Sequence, residues 1–164
     1  MGTGPPLLCD SGWITHLRGQ LDLFSFGGFV ERLAEQFTVI RYDKPGCGLS
    51  DRDSIDLSFD GQVAAALAVV DAVGARRFRV FGASQGGQLA TAIAARYPER
   101  VEALVVYGMC ASGRDLAPAE VRKSVVDLVR AHWGMGLKAL AGAFVTDPTA
   151  DEVVEFKSRS VVLA

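Results

Sequence analysis

Between Leu7 and Tyr107 the chain alternates apolar, strand-like runs with helical stripes, and few folds survive that constraint. Leu7-Leu8-Cys9 reads as a first strand ending at Asp10-Ser11-Gly12. Phe29, Val30, Leu33 and Ala34 recur at helical spacing, with Glu31, Arg32 and Glu35 on the other face. Phe37 to Tyr42 is β-branched and aromatic, a strand composition, and runs into the breaker-rich turn Asp43-Lys44-Pro45-Gly46-Cys47-Gly48. Phe59, Val63, Leu67, Val70 and Val73 form one helical stripe, closed by Gly74. Phe78 to Phe81 is a third strand, Leu89 to Tyr97 an alanine-rich helix stopped by Pro98, and Val101 to Tyr107 a fourth strand. The order β, α, β, α, β, α, β implies a parallel sheet of about four strands with helices on both faces. Ligands of such sheets bind at the carboxyl ends of the strands.

Beyond Gly108 the pattern turns helical. Val121, Val125, Leu128, Val129 and His132 make a stripe after Pro118; a second helix is expected over Leu137 to Phe144, and Thr149-Ala150-Asp151-Glu152 is a capping box opening a third. Helices with no strand between them cannot widen a sheet, so residues 1–114 read as the core and 115–164 as a helical cap segment.

Composition narrows the function. The 17 Lys and Arg against 19 Asp and Glu leave a net charge of −2, which argues against nucleic acid as partner, since phosphate tracking needs a basic excess. No apolar run approaches the roughly 18–20 residues of a membrane span, and the start lacks a signal-peptide pattern. Three cysteines, Cys9, Cys47 and Cys110, lack the spacing of a disulfide framework or zinc site. The expectation is a cytoplasmic protein without metal or cofactor.

The chemistry-bearing motif is Gly82-x-Ser84-x-Gly86-Gly87, between an expected strand and an expected helix. That context makes a nucleophile elbow: a sharp turn lifts the serine hydroxyl above the sheet, and its neighbours two residues away must be small. The spacing fits neither G-x-G-x-x-G nor a P-loop, and no lysine follows the turn.

Here the chain resembles the α/β-hydrolase superfamily. Arg41-Tyr42-Asp43-Lys44-Pro45-Gly46-Cys47-Gly48-Leu49-Ser50 is similar to the family's D-x-R-G-x-G-x-S turn, with Pro45 where arginine is usual. Arg96-Tyr97-Pro98-Glu99-Arg100-Val101 resembles the exit of the helix behind the elbow. Ser11-Gly12-Trp13 occupies the place of the His-Gly-x turn, with Ser11 departing from histidine; this Gly-Trp form is closest to a bacterial subgroup sometimes fused to regulatory or cyclase modules. The resemblance implies a partial α/β-hydrolase core, truncated at both ends. It implies the strand order 37–42, 7–9, 78–81, 101–107 across the sheet. It also implies Ser84 as nucleophile, with the backbone N–H groups of Gln85 and Trp13 as oxyanion donors. The substrate would be a small-molecule ester or related acyl compound.

The family's acid and histidine follow the serine in the chain, and neither has a clear counterpart here. His132 reads as a packed or rim residue, and His16 as structural or substrate-facing. Asp115 has no base to orient, and Cys47 is a small turn residue. Two function classes therefore stand: a serine hydrolase whose acid and histidine are missing from this chain, or a non-catalytic ligand-binding or sensor domain using the same site. Open sheet edges would invite self-association.

Overall fold

A computed structural model describes residues 1–12, 16–21, 24–53, 55–136 and 139 of the 164-residue chain. It divides into two compact units, Met1–Cys110 and Ala111–Ala164. In the first, β1 (Pro6–Asp10), β2 (Thr38–Ile40), β3 (Phe78–Ala83) and β4 (Val101–Tyr107) form one sheet in the order β2-β1-β3-β4. All three pairings are parallel. This is the order implied by the resemblance. The expected strand at 37–42 is shorter than its composition suggested: Arg41 and Tyr42 leave the sheet, and both side chains turn to polar partners at its carboxyl edge.

Helices α2 (Phe24–Ala34), α3 (Phe59–Ala72) and α4 (Gln85–Arg96) alternate with the strands, and a short α1 (Leu17–Leu21) precedes α2. Ser58 caps α3 by accepting from the Gly61 N–H at 3.0 Å. Gly74 ends that helix at φ +73°, a left-handed position that costs glycine little. Helix α4 begins at Gln85, four residues before the alanine-rich stretch, because the elbow itself opens it.

Two apolar clusters lie among the described residues of this unit. Leu8, Ile40, Val63, Leu67, Val70, Phe78, Val80, Leu89 and Ile93 make the larger; Cys9, Val30 and Val39 make the other. Alternation along β1 and β3 distributes the side chains: Leu8, Phe78 and Val80 enter the larger cluster, while Cys9 enters the smaller with Phe81 packed against it. Phe78 and Leu8, each wholly buried, anchor the core. Fully burying side chains of this kind is worth about 1.5–3 kcal/mol apiece, which fixes the strands and with them the level of their carboxyl ends. Strand β4, expected as an ordinary apolar strand, is exposed from Glu102 to Tyr107, with Tyr107 at 73%.

In the second unit a 3-10 turn (Gly113–Asp115) precedes α5 (Ala119–Ala131). Pro118 is the residue before the first turn of α5 rather than within it. The expected helix over 137–144, apart from Ala139, and the expected capping box at 149–152 lie outside the described residues.

Candidate active site

The register sets the site. Asp10 is paired with Gly82, and Ala83 with Tyr107, so the turns after β1 and β3 leave the sheet at one edge. At that edge Ser84 has φ +52° and ψ −125°, and it is the only non-glycine residue at positive φ among the described residues. Such a conformation costs of order 1–3 kcal/mol for a residue with a side chain and persists only where the surroundings hold it. The Ser84 N–H donates to the Tyr107 carbonyl at 2.9 Å, and the Gly87 N–H donates to the Ser84 carbonyl at 3.0 Å. Space excludes side chains on both sides of the turn. A Cβ on Gly82 would lie 2.4 Å from the Gly86 carbonyl oxygen, and one on Gly86 would lie 2.2 Å from that of Asp10. The Ser84 side chain is left exposed at the N-terminus of α4.

Gln85 is the first residue of α4, where backbone N–H groups have no partner one turn earlier and the helix dipole is positive. An anion beside Ser84 would meet that end. Trp13, expected to supply the second donor, lies outside the described residues; the described chain stops at Gly12 (φ +141°) and resumes at His16.

The two histidines are committed elsewhere. His16 Nδ1 accepts the Gly19 N–H at 3.0 Å, capping α1. His132 is exposed at the end of α5 rather than packed in its stripe, and its Nδ1 accepts the Met135 N–H at 3.2 Å. A ring nitrogen that accepts a hydrogen bond carries no proton, so each neutral imidazole holds its proton on Nε2. A triad histidine needs the opposite tautomer, with Nδ1–H given to a carboxylate and Nε2 free to accept from serine. Asp115 is engaged too: its carboxylate accepts the Ser112 N–H at 3.0 Å in a local capping box.

One polar arrangement at this edge was not singled out from the sequence. Lys44 and Asp10 are 2% and 3% exposed and form an ion pair at 2.8 Å. Lys44 Nζ also donates to the Gly12 carbonyl and, at 3.0 Å, to Gln85 Oε1. Gln85 Nε2 donates to Gln62 Oε1 at 3.1 Å, and the Tyr42 hydroxyl donates to Asp10 Oδ2 at 3.0 Å. Burial, followed by the Asp10 charge and hydrogen bond, holds the Tyr42 hydroxyl far above its ordinary pKa, so it stays a donor. Asp43 builds the neighbouring turn: its carboxylate accepts from the Leu17 N–H at 2.8 Å and the Leu49 N–H at 3.0 Å. Lysine and aspartate are ordinarily surface residues, so composition concealed the buried pair; opposite charges at two turns of one sheet edge were its signal. Among the described residues, no cluster of His, Cys, Asp or Glu could hold a metal ion, and no helix is long and apolar enough to cross a membrane.

Known proteins share this architecture. Residues 5–126 match the family model described as alpha/beta hydrolase fold. A 2-hydroxy-6-oxononadienedioate/2-hydroxy-6-oxononatrienedioate hydrolase of Paraburkholderia phymatum is 34% identical over 150 residues, covering 89% of this chain and 48% of the relative. A pimeloyl-[acyl-carrier protein] methyl ester esterase of Nitrosomonas europaea is 36% identical over 105 residues, covering 64% of this chain and 37% of the relative. The chain thus spans half or less of the length of these curated relatives. The crystal structure of a hydrolase from Pseudomonas aeruginosa superposes with a TM-score of 0.78 at 22% identity, covering 100% of this chain and 61% of that one, a likeness of fold. With the family match spanning most of the sequence, the chain belongs to the alpha/beta hydrolase fold family.

Proposed function

We propose that this chain carries the nucleophile half of a serine hydrolase acting on small-molecule esters or related acyl compounds. The carrying observation is the strained Ser84 backbone at the β3–α4 junction, flanked by glycines that admit no Cβ. In this reading the Ser84 oxygen bonds to the acyl carbon as its proton passes to a base. The carbonyl oxygen becomes an oxyanion held by the N–H groups of Gln85 and Trp13, and the leaving group departs with a proton. Water then releases the acid by the same steps. Removing one donor of this kind costs about 2.7–4 kcal/mol in the transition state. The relatives named for ester and dienedioate hydrolysis support an acyl-type substrate. We place the reaction in a reducing cytoplasm, on the odd count of three cysteines. We also propose that residues from about 115 onward serve as a helical cap segment. Self-association through the apolar, exposed β4 is a further expectation; sedimentation at rising concentration should reveal dimers or larger species, and a monomer throughout contradicts it.

A second reading, a non-catalytic ligand-binding or sensor domain on the same site, is favoured by one observation: both histidines accept backbone N–H groups at Nδ1. The test is hydrolysis of p-nitrophenyl acetate by the full chain and by Ser84→Ala, His16→Ala and His132→Ala. Weak turnover that each substitution changes by less than about threefold is expected, because a serine without an aligned base adds little. Robust turnover abolished by Ser84→Ala and by one histidine variant would overturn the incomplete-site reading and identify the base.

A further inference from the structure

We propose that Lys44 is a positioning residue for the Gln85 donor of the oxyanion site, and that its ion pair with Asp10 is a buried strut joining the turn after β1 to the elbow. The inference rests on the reading of Ser84 and the Gln85 donor given above. Among the described residues, one ammonium group reaches the Asp10 carboxylate, the Gly12 carbonyl and the Gln85 side-chain oxygen. Gln85 is the residue whose backbone N–H begins α4 beside Ser84. Lys44 thus ties the end of β1 to the side chain of the residue that carries this donor.

Stability alone is a poor reason for this pair. Taking an ammonium and a carboxylate out of water is costly, and well-packed apolar replacements of both partners are often neutral or stabilising. What apolar side chains could not do is hold a carbonyl and an amide oxygen at fixed points. A preorganised hole needs that, because its donors must already lie where the charge develops. Gln62 extends the strut: it accepts from Gln85 Nε2, so the Gln85 side chain is held from α3 as well as from Lys44. Asp10 is fixed in turn by the Tyr42 hydroxyl.

The test compares the full wild-type chain with the double variant Lys44→Met, Asp10→Asn and with the single variant Gln85→Leu. The double variant leaves no unpaired buried charge. Gln85→Leu cuts one arm of the strut, keeps the ion pair and the backbone N–H, and decides the matter if the double variant does not fold. Two quantities are read: amide hydrogen exchange in segments 10–17 and 83–88, and phosphonylation of Ser84 by a small alkyl fluorophosphonate in imidazole buffer, located by mass spectrometry. Exchange in both segments of the double variant should rise at least about tenfold while β1 and β3 keep their protection. The maximal labelling rate should fall about tenfold with the probe's dissociation constant changed less than threefold, since the donors act on the developing charge and not on ground-state binding. Gln85→Leu should show the same changes, smaller and centred on 83–88. A merely structural role would lower the melting temperature and loosen the whole sheet without separating rate from affinity. Unchanged exchange in both segments, or an unchanged maximal rate, overturns the proposal. Absence of any adduct on wild-type Ser84 overturns the nucleophile reading instead, and exchange alone then decides for or against the strut.

Discussion

Ser84 stores its strain in one residue, so its release is measurable. Glycine adopts φ +52° without a Cβ penalty but loses more entropy on folding, by about 0.5–1 kcal/mol, against a strain of order 1–3 kcal/mol. Ser84→Gly should therefore raise unfolding stability by about 1 kcal/mol in urea titration; a loss of stability would mean the turn does not strain the serine. The elbow was legible because its demands are local: two small residues, a strand before and a helix after. The state of His16 and His132 was not legible, since a cap on Nδ1 depends on turns that residue spacing does not reveal.

At the scale of elements, β1 joins packing to titration. Its Cys9 faces the smaller apolar cluster, and burial pushes the thiol from 9.0 to about 11, with Arg41 opposing and Asp10 adding to the shift. The folded chain keeps this proton while the unfolded chain loses it. The contribution to stability is thus complete below pH 9 and is lost as pH rises toward 11. At about 1.4 kcal/mol per unit, the wild type should lose about 2–3 kcal/mol more than Cys9→Ala across that window, as read by denaturant titration at pH 8 and pH 11. Tyr42 titrates in the same direction but is present in both chains and cancels. An equal loss in the two would show that Cys9 is not buried as a thiol. The three main helices followed from periodicity, because each has an apolar face that must be covered, whereas the strand order followed from the family resemblance. The early exit of β2 did not follow. Arg41 and Tyr42 look like strand residues, and polar partners brought close by folding, Gln20 and Asp10 among them, turn them to the edge.

For the whole molecule, the division of labour is between a sheet that is well packed at β1 and β3 and a strand β4 that is not. Phe78 and Val80 are buried on the central strand, while Val105, Val106 and Tyr107 are exposed on the outer one. The sequence marked all of these as strand residues; whether a neighbour covers them is a long-range matter that local pattern does not encode. The same division runs through the site. The elbow, the helix N-terminus and the Lys44 strut lie within the first unit, and His16 and His132 each accept a backbone N–H at Nδ1. On the proposed reading, Ser84 is presented as a nucleophile and awaits a base. Chemical rescue tests it most directly: p-nitrophenyl acetate hydrolysis is followed over rising imidazole for wild type and Ser84→Ala. An imidazole-dependent rate at least about tenfold greater in wild type is the expected result, short of the roughly 10²–10⁴-fold of a positioned base because free imidazole is not held in place. Equal imidazole dependence in the two chains would contradict it.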